Sequence, residues 1–278
     1  MSIQTCYRHP DRETGVRCQR CERPVCTACM VPAPVGVQCV ECVRRLRPPV
    51  PAVRRLRQAS GWLSVTGLLV AANVGAWILG LVLAGPGAPA ALVSGSPLAG
   101  AAGLFGPRVA AGEWWRLLTS GFLHSGLLHV GLNMAILAIL GPPLEQALGR
   151  LRFAALYLAG LVTASLGALL ASPDALTVGA SGAIFALMGA TLMGQRAAGI
   201  DPARSGIYGL LVVNLFFTFL VPGISIGGHL GGLAGGLLAG AVLFHRRLHP
   251  VLGLLACLAL AGVGASAGLW VAANPLRV

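Results

Sequence analysis

Seven apolar runs punctuate the chain, at about residues 62–84, 122–141, 153–171, 177–195, 206–221, 226–244 and 250–273. Each approaches the roughly 20 residues an α-helix needs to cross a bilayer core, although the fifth is short. The pattern predicts an all-α polytopic membrane protein. Polar, cysteine-rich sequence fills residues 1–43, and residues 44–60 place Pro48, Pro49 and Pro51 between Arg44, Arg45, Arg47 and Arg54, Arg55, Arg57. Between the first two runs, residues 85–121 form a partly apolar stretch longer than most loops, a length that tends to accompany function. It contains Gly112-Glu113-Trp114-Trp115-Arg116, whose two aromatics suit a membrane interface.

Composition agrees with the pattern. Of 278 residues, 56% are hydrophobic and only 10% charged, with mean hydropathy +0.79, where a soluble domain carries about 25% charged residues. The formal charge of +12 is concentrated at the front, with eleven arginines against four acids in residues 1–60 and no lysine anywhere. Ahead of a membrane span, such a patch sets topology rather than binding nucleic acid. With the N-terminus inside, the linker arginines and Arg150, Arg152, Arg196, Arg204, Arg246 and Arg247 all face the cytoplasm. Only Arg108, Arg116 and Arg277 then lie outside. The expected protein is a multi-pass plasma-membrane protein with a cytoplasmic N-terminus and an external C-terminus. The linker is expected to be extended, either against anionic headgroups or as a solvated spacer.

Four short pairs occupy the N-terminal stretch: Cys6-x2-His9, Cys18-x2-Cys21, Cys26-x2-Cys29 and Cys39-x2-Cys42. Zinc takes four ligands, so seven cysteines and one histidine close two sites with none left over. A disulfide framework is disfavoured because seven is odd and the cytosol is reducing. Cys257, alone in an apolar run, is expected to pack inertly. With few apolar residues in the module, its two structural zinc ions must supply the folding energy. The order of pairs resembles the cross-braced B-box and RING-like modules. That resemblance implies one site of Cys6, His9, Cys26 and Cys29, and another of Cys18, Cys21, Cys39 and Cys42. Pairing of sequence neighbours is the other arrangement open to this spacing.

Candidate chemistry lies elsewhere, in Gly179-Ala180-Ser181-Gly182 and Gly227-Gly228-His229-Leu230. A serine among glycines in a membrane helix is more often a packing device. An ionisable residue inside a span is costly, and points to function. The positive-inside map brings the fourth and sixth spans in from the same outer face, so Ser181 and His229 lie at one depth as nucleophile and base. Gly228, Gly232, Gly236 and Gly240 form a ridge that admits a neighbouring backbone. His129 and Asn133, four residues apart, share a helical face near the same depth. They suit hydrogen-bond donation to an oxyanion, or alternatively interhelical polar contacts. A metal is the third option for the histidines, without a nearby acid to support it. His124 is expected off that face, at the helix mouth. No acid lies at this depth, so the expected unit is a dyad.

Trp115-Arg116, His124…His129…Asn133, Gly179-x-Ser181-Gly182 and His229-x2-Gly232-x3-Gly236 together resemble the rhomboid intramembrane serine proteases, over about residues 62–247. The resemblance implies a six-helix core, here with one extra C-terminal transmembrane helix. It implies Ser181 as nucleophile and His229 as general base. His129, Asn133 and the Ser181 backbone N–H would form the oxyanion hole, with Gly179 shaping the loop. Trp115-Arg116 would belong to a structured outer loop, and Glu145 to a cytoplasmic anchor. Phe185 stands where some members have tyrosine, and its ring can still stack on His229. The expected domains are a zinc module (1–43), a basic linker (44–60), a protease core (61–247) and an extra helix with its tail (248–278). Expected partners are transmembrane protein substrates, the lipid bilayer and a protein partner for the zinc module, with no nucleic acid. An inactive rhomboid-like protein that binds membrane clients is the alternative, and the retained pair Ser181 and His229 argues against it. A transporter would fit the span number, but the polar residues cluster at one depth rather than along a path.

Overall fold

Each apolar run contains one helix. The computed structural model describes residues 4–32, 36–46, 64–85 and 96–275, and the chain divides into two units, residues 1–61 and 62–278.

In the first unit, β1 (Gln4–Thr5) pairs antiparallel with β2 (Glu13–Thr14), and β3 (Met30–Pro32) with β4 (Val37–Cys39). The helix α1 (Val40–Leu46) follows directly and runs three residues into the stretch read as linker. The rest of the linker, 47–60, lies outside the described residues. The buried apolar residues of this unit are Val25 and six of the cysteines. A core this small cannot hold a fold by burial, and it is built from metal-ligating side chains.

The second unit comprises α2 (Val65–Ala84), three short helices α3 (Pro97–Ala102), α4 (Gly106–Ala110) and α5 (Arg116–Thr119), then α6 (Leu127–Leu148), α7 (Arg150–Ala171), α8 (Ser181–Ala197), α9 (Ile207–Leu220), α10 (Ile226–Leu243) and α11 (Pro250–Ala273). Five of these, α2, α6, α7, α10 and α11, are long and apolar enough to cross a membrane. α8 has 17 residues and α9 has 14. α8 is nevertheless the core, with Ala183, Phe185, Leu187 and Met188 all at 2% exposure or less.

Three boundaries differ from expectation. α6 begins at Leu127 rather than residue 122, because Ser120–Phe122 forms a 3₁₀ turn and Gly126 is fully extended. It continues through Pro142 and Pro143 to Leu148, past the expected end at residue 141. Membrane helices tolerate prolines where neighbouring helices and side chains absorb the freed groups, and here Gly141 packs on Thr66 and Glu145 on the start of α2. α8 begins at Ser181 rather than residue 177. Thr177 instead pairs with Leu104 as an isolated bridge, and Gly179 has φ 134°, which a helix cannot contain.

Glu145 is the anchor of α2. Its carboxylate accepts from the backbone N–H of Val65 (2.8 Å) and Thr66 (2.9 Å) and from the Thr66 hydroxyl (2.8 Å). Helix N-termini leave donors orphaned and favour negative charge, so one buried acid satisfies both needs.

α10 lies between α7 and α8, with glycine facing each. Towards α8, a Cβ at Gly232 would strike the Gly182 backbone, one at Gly236 the Ala186 backbone, and one at Gly240 the Ala190 backbone. The contacts step by four residues along both helices, so two i±4 ridges lie in direct register. Towards α7, Gly227, Gly231 and Gly235 meet Gly167 and Thr163 in the same way.

This register generates a prediction. Gly236→Ala should cost about 1–3 kcal/mol by overpacking and lower the unfolding temperature in detergent by several degrees. Gly262→Ala, in α11 where an added Cβ meets nothing within 4 Å, should be neutral or slightly stabilising, since alanine is the better helix former. Equal unfolding temperatures for the two variants would contradict the close approach.

Candidate functional site

The two helices that touch through glycine carry the site. Ser181 is the first residue of α8, and His229 lies in the first turn of α10. Ser225 caps α10, its hydroxyl accepting from the Gly228 N–H at 3.1 Å. His229 Nε2 stands 2.7 Å from Ser181 Oγ, and the histidine is only 8% exposed. Phe185, one turn along α8, stacks on the His229 ring with centroids 4.4 Å apart and planes 27° from parallel.

A partner that the sequence reading missed lies at the far side of the ring. Thr218 Oγ1, in the last turn of α9, is 2.7 Å from His229 Nδ1 and is itself 2.7 Å from the Asn214 carbonyl. Thr218 is 1% exposed. The available signal was weak: one threonine, eleven residues before the histidine, in a largely apolar helix.

The loop before Ser181 is fixed by backbone bonds. Leu104 and Thr177 exchange N–H···O bonds of 3.0 and 2.9 Å, Gly106 N–H donates to the Pro173 carbonyl at 2.8 Å, and Gly179 N–H donates to the Ser120 carbonyl at 3.0 Å. Gly179 is required twice over, by its φ of 134° and by space. A Cβ there would stand 2.9 Å from the His129 ring and 3.5 Å from Ser181 Oγ. His129, at the start of α6, thus borders the same point as the serine. Its Nδ1 lies 2.9 Å from Ser125 Oγ and accepts a longer bond, 3.4 Å, from the Ser125 backbone N–H. A backbone N–H only donates, so Nδ1 is the unprotonated nitrogen and Nε2 carries the proton. Asn133 is buried, and one N–H of its amide donates to the His129 carbonyl at 2.8 Å, leaving the second free to donate. His124 precedes the helix, packs edge-on against His129 at 4.9 Å and is 1% exposed. Its ring nitrogens have no hydrogen-bond partner among the described residues.

The stretch of short helices between α2 and α6 is held by Arg116. Its side chain, 3% exposed, donates to the carbonyls of Gly103 (2.6 Å) and Gly100 (2.9 Å) and to Glu113 (2.6 Å). The Arg116 guanidinium in turn holds the Glu113 carboxyl below its ordinary range. Trp114 and Trp115 are exposed.

The rhomboid domain family matches residues 111–246. Over 158 residues the chain is 40% identical to rhomboid protease GluP of Bacillus subtilis, covering 53% of this chain and 31% of that protein. Over 144 residues it is 36% identical to the putative rhomboid protease YdcA of the same organism, covering 50% of this chain and 72% of that protein. The chain belongs to the rhomboid family. RHOMBOID-like protein 7 of Arabidopsis thaliana is 38% identical over 141 residues, covering 49% of this chain and 44% of that protein. The chain therefore spans under a third of GluP and nearly three quarters of YdcA. Membership supports intramembrane proteolysis at the level of the family.

The first unit, α2 to α4 and α11 lie outside the matched residues. In the first unit the ligand atoms of Cys6, His9, Cys26 and Cys29 lie within 4.8 Å of one another, and so do those of Cys18, Cys21, Cys39 and Cys42. The grouping crosses alternate pairs rather than joining sequence neighbours. Cys26 and Cys29 Sγ both stand 3.4 Å from His9 Nδ1, and Cys21 and Cys39 Sγ are 3.7 Å apart. A tetrahedral ion with bonds of about 2.3 Å places its sulfurs about 3.8 Å apart, so both donor sets fit a metal. Backbone N–H groups of Cys39 and Cys42 point at Cys18 and Cys39 sulfur, at 3.2 and 3.4 Å. Arg23 donates to Cys21 Sγ at 3.4 Å and holds that thiol below its usual range. These contacts favour the thiolate that a metal needs. Cys257 is fully buried in α11.

Proposed function

We propose that this chain is an intramembrane serine endopeptidase that cleaves membrane-anchored proteins near the outer membrane face. The observation that carries the reading is the 2.7 Å contact between His229 Nε2 and Ser181 Oγ. A serine hydroxyl is a weak nucleophile until a base takes its proton. His229 is so placed: as Oγ attacks a peptide carbonyl, its proton passes to Nε2, and the imidazolium returns it to the leaving amine. The developing oxyanion falls to donors around Gly179, namely the Ser181 backbone N–H, His129 Nε2–H and the free amide N–H of Asn133. The protonation state of His129 supports this role. His124 touches no reacting group and is read as packing support for His129.

The same reading assigns zinc to both four-residue sites of the first unit, as structural ions closed to chemistry because all eight ligands are used. It places the N-terminus in the cytoplasm of a plasma-membrane protein and the C-terminus outside, on the arginine distribution.

Four kinds of measurement test these assignments. Ser181→Ala and His229→Ala should each abolish cleavage of a transmembrane substrate in proteoliposomes, and the double variant should be no worse, because the pair acts as a unit. A fluorophosphonate should label Ser181 and fail to label His229→Ala. His129→Ala and Asn133→Ala should each lose about 10²–10³ in rate, the scale of an oxyanion donor. Full cleavage by folded Ser181→Ala protein would end the protease reading in favour of a client-binding protein. Metal analysis of the purified full chain should return two zinc ions. Chelation should unfold the first unit while the helices of the second remain folded, and fewer than two ions at full occupancy would refute the two-site assignment. For orientation, an impermeant thiol reagent applied to intact cells should modify a cysteine placed at Ala175 and spare one at Ala198, with peptide mapping to locate the label. The reverse pattern would invert the topology.

A further inference from the structure

The dyad needs a rule for which nitrogen of its histidine carries the resting proton, and among the described residues no carboxylate bonds to the ring to impose one. We propose that Thr218 is the positioning residue that sets the His229 tautomer, so that the working unit is Ser181–His229–Thr218. The inference rests on the protease reading above and names what that reading lacks.

The argument follows the single hydroxyl proton. Thr218 Oγ1 lies 2.7 Å from the Asn214 carbonyl and 2.7 Å from His229 Nδ1. A carbonyl only accepts, so the Thr218 hydroxyl gives its proton to Asn214. Back-bonding of this kind, from a helical threonine to the carbonyl four residues earlier, is a common local arrangement. It fixes the hydroxyl and leaves only oxygen lone pairs facing the ring. Nδ1 must then be the donor, which makes it the protonated nitrogen. Nε2 is left with its lone pair, 2.7 Å from Ser181 Oγ. That is the tautomer a general base requires at the serine.

Two further features hold the ring in this pose. Phe185 stacks on it at 4.4 Å, so it is confined in its own plane. Thr218 and His229 are 1% and 8% exposed, so water offers little competition for the Nδ1 proton. When Nε2 takes the serine proton, Nδ1–H remains bonded to Thr218, and the positive charge gains one fixed acceptor. Thr218 touches neither substrate nor the reacting atoms and acts only through the histidine.

The test has one arm without a variant. The wild-type protein, labelled with ¹⁵N-histidine and reconstituted in lipid, contains six histidines, and difference against His229→Gln assigns the signal. The resting neutral ring should show a protonated Nδ1 and an unprotonated Nε2. A ring protonated at Nε2 overturns the proposal, and this result is independent of whether any variant folds. In the second arm, Thr218→Val keeps the shape and removes the hydroxyl. Its kcat should fall about tenfold with KM unchanged, and its His229 signal should shift towards the Nε2-protonated form. Thr218→Ser, which keeps the hydroxyl, should return kcat to within about threefold of wild type. A folded Thr218→Val with wild-type kcat overturns the proposal, as does a Thr218→Ser that is as slow as Thr218→Val. Failure of the protease reading itself shows separately, as cleavage that does not depend on Ser181, and leaves the tautomer measurement intact.

Discussion

Direct contact between the backbones of α8 and α10 is the constraint on which this site depends. The 2.7 Å contact between Ser181 and His229 fixes the separation of the two main chains, and it is met here with the helices in close approach. Glycine supplies that approach, since no Cβ stands between the helices. Ser181 immediately precedes Gly182, and His229 lies three residues before Gly232, which packs on the Gly182 backbone. The first rung of the glycine ladder therefore lies one helical turn from the Ser181–His229 pair, and the rungs at Gly236 and Gly240 keep that rung from sliding. With lipid outside and no hydrophobic drive between apolar helices, the ladder draws on dispersion contacts and small-residue fit. The second row of glycines, against α7, holds α10 from the other side, so that His229 sits on the most tightly gripped helix.

Ser181 is positioned from the other direction by irregular chain, which the hydrocarbon core tolerates only where it is buried in protein. Leu104 and Gly106 bond to Thr177 and Pro173, and Ser120 bonds to Gly179. Those partners are themselves strung between short helices too small to stand alone. Arg116 makes them stable. Its fork ties Gly100, Gly103 and Glu113 to one buried guanidinium. Such a charge is tolerable only when every N–H is aimed at an acceptor, and an unpaired one would cost several kcal/mol. A lysine has the charge but not the planar fork, so arginine is specified by geometry rather than sign.

These two supports explain what could be read from the chain in advance. The helices were visible as apolar runs, and α11 was placed to the residue, because burial in lipid writes itself in composition. The pairs of metal ligands were visible because tetrahedral chemistry demands their spacing. The onset of α8 was not, since Thr177 to Ala180 are apolar enough to continue a helix and are diverted only by bonds to residues seventy positions earlier. Thr218 was invisible for a related reason. A threonine in a membrane helix usually satisfies itself on its own backbone, and Thr218 does so. Its second role exists only because Asn214 consumes its proton and a histidine from the next helix arrives at the remaining lone pairs. Contacts between elements distant in sequence, or between one polar atom and a ring rotated into place, leave no periodic trace.

The absence of an acid beside His229 then has a physical reading. A carboxylate at that position would be an ionised group in a low-dielectric interior, and its desolvation would have to be offset by hydrogen bonds that apolar helices cannot provide. A neutral hydroxyl gives less stabilisation to an imidazolium but costs far less to bury, and with its own proton committed it can only accept. The resting unit is then free of net charge. In the proposed reaction, charge arises only as imidazolium and oxyanion side by side, and each stabilises the other more strongly because the surroundings screen them weakly. On the proposed function, stability resides in the glycine ladder, and the electrostatic contribution is left to the moment of bond cleavage.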